Sequence, residues 1–185
     1  MSLTYQQVVK DTSEVIREKS QNVELPLSTE DKQLLMDMFQ SVQDSQDEEL
    51  AEKYDLRPAV GIAAIQLGVP KKMLAVVVPK DEEEDYEFAL VNAKIISESV
   101  QRAYLKAGEG CLSVDGDHPG YVPRAARIKV KAYDLLRDQE IVITASGYLA
   151  IVLQHEIDHF SGTLFYDRIN KENPWQEIEN AIIIE

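Results

Sequence analysis

The stretch "YLAIVLQHEIDHF", residues 148–160, constrains this chain more than any other. It is apolar for too long to be a typical strand and has no internal Gly or Pro, so it reads as a buried helix from Tyr148 to Phe160. Two histidines and two acids interrupt that apolar run, and each buried polar group left without a partner costs about 1–3 kcal/mol. They need a reason to be there. His155 and His159 stand at i and i+4, so their rings project from one helix face at a separation that chelates a single ion. Glu156, one residue on, lies where it can take a proton from water at that ion without being a ligand itself. With 3 histidines in 185 residues, a chance H-E-x-x-H is roughly a half-percent event. A metal site is the expectation.

A buried helix needs surrounding elements, and the preceding sequence supplies strands. "RIKVKAYD" alternates Ile128, Val130 and Ala132 against Lys129 and Lys131, the period of a half-buried strand, and "EIVITAS" follows as its partner. "KMLAVVVP" and "EFALVNAKII" are strand-like in their β-branched and aromatic content, with the acidic link "KDEEEDY" between them read as a solvated hairpin loop. "VGIAAIQLGVP", bounded by glycines and a proline, suits a buried turn-like segment. Near the N-terminus, "LSTEDKQLLMDMFQSVQ" has Ser28 as N-cap, acids in its first turn and apolar residues at helical spacing, and predicts an amphipathic helix. "DSQDEELAEKYDL" keeps helix formers but loses the apolar face, as a surface extension would. Strands gathered before one central helix, without strand-helix alternation, predict an α+β fold: antiparallel β-sheets packed around the helix that carries the HEIDH motif. At 185 residues and 44% hydrophobic content, one domain spanning 1–185 is expected.

Charge narrows the partners. A net charge of −14 repels phosphate backbones, so direct DNA or RNA binding is not expected. No apolar run is long enough for a membrane span, no signal peptide is evident, and the lone cysteine excludes an internal disulfide. A cytoplasmic location is the expectation.

A catalytic metal site needs a third protein ligand and an open position. Extension to H-E-x-x-H-x-x-G-x-x-H fails, because Gly162 fits but position 165 is Phe. Glu177 and Glu179 lie in a short polar tail after Pro174 and are weak candidates. Cys111, in "GEGCLSV" beside glycines and after a strand, is favoured, against the ordinary reading of a lone cysteine as a small buried hydrophobe. A metalloprotease or another metal-dependent amidase on the same helix is the alternative enzyme class; a metal-stabilised binding module would want a fourth protein ligand, and none is evident.

"VGIAAIQ" at 60–66, "EGCLS" at 109–113 and "QHEIDH" at 154–159 occur in that order, and the whole resembles the peptide deformylase family over essentially the full chain. It is similar to the longer bacterial type, with extra residues near "SQDEELAEKY" and in the acidic link. The resemblance implies removal of the formyl group from the N-terminal methionine of nascent proteins, with possible transient ribosome association. It implies Cys111, His155 and His159 as ligands to one divalent ion, Fe(II) expected, with Zn(II), Ni(II) or Co(II) as substitutes. Glu156 matches the general acid/base, while the Gln66 amide and the Leu112 N–H match the groups that hold the formyl oxygen. Val60, Gly61 and Gly110 fall beside the substrate cleft. Two positions depart from the family pattern. Ala59 replaces the first glycine of G-x-G-x-A-A-x-Q, which costs about 1 kcal/mol or more only if φ is positive there. Phe160 stands where Leu is usual, a matter of packing.

For methionine selectivity, Ile151 and Tyr148 lie one and two turns before His155 on the same face, and are candidate pocket walls as well as candidate core. Glu109 is read as orienting its loop through a buried polar or ionic contact, Asp158 as hydrogen-bonding outside the ligands, and His118 as an exposed loop residue.

Overall fold

Strand β2 (Met73–Val78) is buried on both faces along its whole length, and its alternation assigns those faces to two cores. Leu74, Val76 and Val78 point into one cluster; Met73, Ala75 and Val77 point into another. The sheet therefore needs cover on both sides. Helix α1 (Thr29–Ser45) covers one, contributing Leu35, Met38, Phe39 and Val42. Helix α3 (Gly147–Asp158) covers the other with Leu149, Ala150, Val152 and Leu153. This is a computed structural model, and it describes residues 3–80 and 84–185.

The five-stranded sheet has the order β1-β2-β3-β6-β7 and is antiparallel throughout. Its members are β1 (Gly61–Ala63), β2, β3 (Tyr86–Glu98), β6 (Arg127–Asp134) and β7 (Gln139–Ser146). Strand β6 buries Ile128, Val130 and Ala132 and exposes Lys129 and Lys131, with Val130 opposite Ile143 of β7, as its two-residue period predicts. Strand β3 runs beyond "EFALVNAKII" in both directions and shifts register between Val91 and Lys94. At that bulge Asn92 has φ 53, and its side chain exchanges two 2.8 Å hydrogen bonds with the Val23 backbone, which ties the N-terminal segment to the sheet. Val78 pairs with Tyr86 across the acidic link, but 81–83, the middle of the expected hairpin loop, lie outside the described residues.

A second, three-stranded sheet has the order β5-β4-β8, from β4 (Arg102–Leu105), β5 (Arg124–Ala125) and β8 (Ile182–Ile184). Strands β4 and β8 are parallel, the one parallel pair among the described strands and one that the polar tail after Pro174 gave no sign of. Helix α3 lies between the sheets: its far face sends Ile151 against Ala103 and Ala126. Gln154 binds the Ala125 backbone as a strand neighbour would, accepting from N–H at 2.8 Å and donating to C=O at 3.0 Å. Helix α1 is capped as the sequence suggests. Ser28 Oγ accepts from Asp31 N–H at 3.1 Å. The acidic extension forms a short surface helix, α2 (Glu48–Tyr54), with no buried residue and Asp47 as its cap. "VGIAAIQLGVP" is part strand, β1, and part a 3₁₀ turn over Ala64–Leu67.

The expected helix end at Phe160 is corrected. The α-helix stops at Asp158, and His159–Ser161 tighten into a 3₁₀ turn that closes on Gly162 at φ +70. Only glycine fits there. An added Cβ would lie 2.2 Å from the Arg17 carbonyl oxygen. Gly162→Ala is expected to lower stability by at least about 2 kcal/mol in urea unfolding, from the left-handed backbone and the collision together; an unchanged midpoint would contradict this packing.

Candidate active site

Helix α3 and the 3₁₀ turn that continues it bring His155 and His159 together with ring centroids 5.3 Å apart. Opposite them, the loop from β4 to β5 presents Cys111, whose Sγ lies 3.6 Å from His159 Nε2. One donor atom from each of the three falls within 4.8 Å of the other two. His155 Nδ1 lies 2.8 Å from Glu109 Oε2, so that nitrogen carries the proton and the Nε2 lone pair is left for a ligand. Burial first, then the neighbouring His155, holds His159 well below the ordinary imidazole range, in the neutral form a metal requires. Burial disfavours charge on His155 as well, but Cys111 and Glu109 outweigh it and raise its ring well above the usual range. Neighbours that draw a proton to a site also draw a cation. One soft thiolate and two imidazoles in reach of one point fit a divalent transition metal.

Glu156 is 4% exposed, and its Oε2 has no hydrogen-bond partner among the described residues. Burial pushes its pKa up to about 7. The carboxylate is seated by a close approach: a Cβ on Gly61 would come within 2.6 Å of Glu156 Oε1. The first-motif glycine is thus required by the acid facing it. Gly110 is different, since nothing lies within 4 Å of a Cβ there and its φ is not positive. Ala59 does not have positive φ either; its N–H donates to Ser45 Oγ at 3.1 Å and its C=O accepts from Gln46 at 2.9 Å. The departure from glycine therefore carries no backbone strain.

Gln66 is fixed by its own turn. Its Oε1 accepts from Ala63 N–H at 2.9 Å, which aims the amide nitrogen at Cys111 Sγ, 3.5 Å away, and Ser113 Oγ, 3.2 Å away. The Cys111 loop is braced from the N-terminal segment, with Lys10 Nζ on the Leu112 carbonyl at 2.9 Å and Asp11 N–H on the Ser113 carbonyl at 2.8 Å. Gln66, Cys111, His155 and Glu156 line a cleft of about 750 Å³, whose walls also include Val60, Gly61, Gly110, Leu112, Tyr148 and Ile151. Tyr148 is 40% exposed and Ile151 only 2%. Ile151 therefore serves both readings, core on one side and cleft wall on the other. Phe160 packs in the core, and His118 is exposed and stacks on Tyr166 at 4.0 Å.

Behind the ligands lies a group the sequence reading missed. Arg124, with only 1% of its side chain exposed, makes a bidentate pair with Glu109 at 2.9 and 2.8 Å and a third bond to Asp158 at 2.5 Å. Arg168 closes the array on Asp158 with two bonds of 2.6 Å. Burial would raise the Glu109 carboxyl, but Arg124 and then His155 hold it at about 2, so it stays ionised. The only signal for Arg124 in the sequence was an arginine at the start of an otherwise small apolar run, "RAA".

A cysteine and an i, i+4 histidine pair converging beside a cleft, with a buried carboxylate next to them whose Oε2 has no partner among the described residues, define a metal-dependent hydrolase on an α+β scaffold. The polypeptide deformylase family model matches residues 5–175. The chain is 51% identical over 183 residues to peptide deformylase 2 of Bacillus subtilis, covering 99% of both chains. Among solved structures, the peptide deformylase of Ehrlichia chaffeensis superposes with a TM-score of 0.74 at 31% identity, covering 94% of this chain and 91% of that one. A class I type b peptide deformylase of Acinetobacter baumannii bound to Met-Ala-Ser superposes with a TM-score of 0.73 at 28% identity, covering 91% and 100%. The chain belongs to the peptide deformylase family, metal-dependent enzymes that remove the formyl group from the N-terminal methionine of nascent proteins.

Removing one partner of a fully buried ion pair strands the other charge. Arg124→Ala is expected to destabilise the protein by about 3–5 kcal/mol in urea unfolding; a loss under about 1 kcal/mol would show that the array contributes little.

Proposed function

We propose that Cys111, His155 and His159 hold one divalent ion, Fe(II), and that Glu156 is the general acid/base that moves the proton in formyl removal. The observation that carries this reading is the convergence of three ligand atoms within 4.8 Å beside a buried carboxylate with one oxygen unpartnered among the described residues. Held there, the ion supplies Lewis acidity, which makes water acidic enough to attack near neutral pH and polarises the formyl carbonyl. Glu156 accepts the proton of the attacking water, as a carboxyl with a pKa near 7 is suited to do. Negative charge then develops on the formyl oxygen. The Gln66 amide, already aimed at Cys111, and the Leu112 N–H, in a loop braced by Lys10, donate to it. Glu156 returns its proton to the departing amine, and formate and a free N-terminus leave.

Val60, Tyr148 and Ile151 form the methionine pocket, with Gly61 and Gly110 leaving the backbone open to the peptide. The Met-Ala-Ser tripeptide of the Acinetobacter structure has the form of a deformylated product, which supports a peptide lying along this cleft. The same donor set accepts Zn(II), Co(II) and Ni(II); the preference for Fe(II) rests on family likeness. In this reading residues 1–185 act as one catalytic unit in the cytoplasm, meeting nascent chains during transient ribosome association. Among the described residues no helix is long and apolar enough to cross a membrane.

The purified protein is expected to release formate from formyl-Met-Ala-Ser and leave the Met-Ala bond intact, while Glu156→Ala retains its metal and loses rate by about a hundredfold or more. Cleavage of the internal bond without formate would contradict the reaction, and an active Glu156→Ala protein at normal metal content would contradict the assignment of the base.

A further inference from the structure

The cleft that receives the peptide is mostly apolar, and its charged groups are few. Of its acids, Glu109 is bound to Arg124 and His155, and Glu156 is buried against Gly61. Arg57 is the one permanently charged side chain that stands open on the wall among the described residues, 58% exposed.

Its surroundings fix it in place without neutralising it. The guanidinium stacks over the Tyr5 ring at 4.0 Å and makes no hydrogen bond among the described residues. The nearest acid, Asp115, lies 3.7 Å away and is already shared: it accepts from Tyr5 Oη at 2.5 Å and from Lys10 Nζ at 3.0 Å. Lys10 in turn is bound to the Leu112 carbonyl at 2.9 Å. Two cations face one carboxylate, so the cluster keeps a net charge of about +1, and the exposed guanidinium of Arg57 is the part of it on the cleft wall.

The position along the cleft follows from the chain. Gly61 abuts Glu156, and residues 57–60 lead away from it, a span of at most ~14 Å. A peptide lying extended advances about 3.3 Å per residue. Side chains in the first three or four positions after methionine therefore come within reach of a flexible arginine. Resting on the deformylase reading of this cleft, we infer that Arg57, stacked on Tyr5 above the Lys10–Asp115 pair, is a specificity residue that favours nascent chains carrying an acidic side chain in positions two to four. It works against the rest of the molecule, whose net charge of −14 attracts basic peptides over about a Debye length, roughly 8–10 Å at physiological salt. With Arg57 removed, that background is what remains.

The test uses formyl-Met tetrapeptide amides, capped at the C-terminus so that no terminal carboxylate competes, with Glu, Gln or Lys placed in turn at positions two, three and four. Formate release by the metal-loaded enzyme gives kcat/KM, and the ratio for Glu over Lys is compared within each variant. The wild type is expected to favour Glu by about two- to fivefold at its best position, the scale of an exposed ion pair, and to lose that preference near 0.5 M salt, where the Debye length falls to about 4 Å. Arg57→Gln should bring the ratio to one or below, Arg57→Glu should invert it, and Arg57→Lys should retain most of it. A wild-type ratio at or below one at all three positions overturns the proposal, as does a wild-type ratio retained in Arg57→Gln. The Gln peptides separate the two levels: no formate from them in the wild type overturns the deformylase reading itself, and the subsite with it.

Discussion

The site depends on one buried carboxylate. Glu109 binds His155 Nδ1 with the same oxygen that accepts from Arg124, and its other oxygen takes the second arm of that guanidinium. It stands two residues before Cys111, so a single side chain joins the cysteine loop, the histidine helix and strand β5. Were it displaced, the His155 ring would lose its orientation and the thiol its register against the helix. Arg124 and Asp158 extend the join to the C-terminal end of α3, and Arg168 carries it beyond the helix. Three elements distant in sequence thus meet at one point because charge cannot remain buried without partners.

The packing explains why that point is a cleft. Helix α3 is held between two sheets, with Gln154 bound to the β5 backbone, while His155 and Glu156 face the cleft beside it. Gly61 lets strand β1 pass close to Glu156, which desolvates the carboxyl and raises its pKa toward neutrality. The same contact makes one glycine of the first motif indispensable, while the next motif's Gly110 is under no such steric demand.

Much of this was legible in the sequence because the signals were periodic or chemical. The i, i+4 histidines, the alternation of "RIKVKAYD" and the cap at Ser28 each follow from local geometry, and each stands where its pattern places it. The reading of Glu109 as a buried orienting group also holds, although its partners were invisible. Arg124 went unread because an isolated arginine looks like surface until tertiary structure shows what it neutralises. The parallel pairing of β8 with β4 escaped for a related reason: three isoleucines after a polar tail are too short a run to name their partner. The helix end was placed two residues late, since apolar content persists through Phe160 while the backbone has already tightened toward Gly162.

The central claim is that one thiolate and two imidazoles hold a single ion. X-ray absorption on the protein purified without oxygen tests it most directly, because it reports the metal and its donor atoms together. An iron edge with one sulfur and two imidazole nitrogens around the ion, the sulfur lost in Cys111→Ser, is the predicted result. A metal bound with no sulfur donor in the native protein would contradict the assignment of Cys111 and with it the geometry on which the account rests.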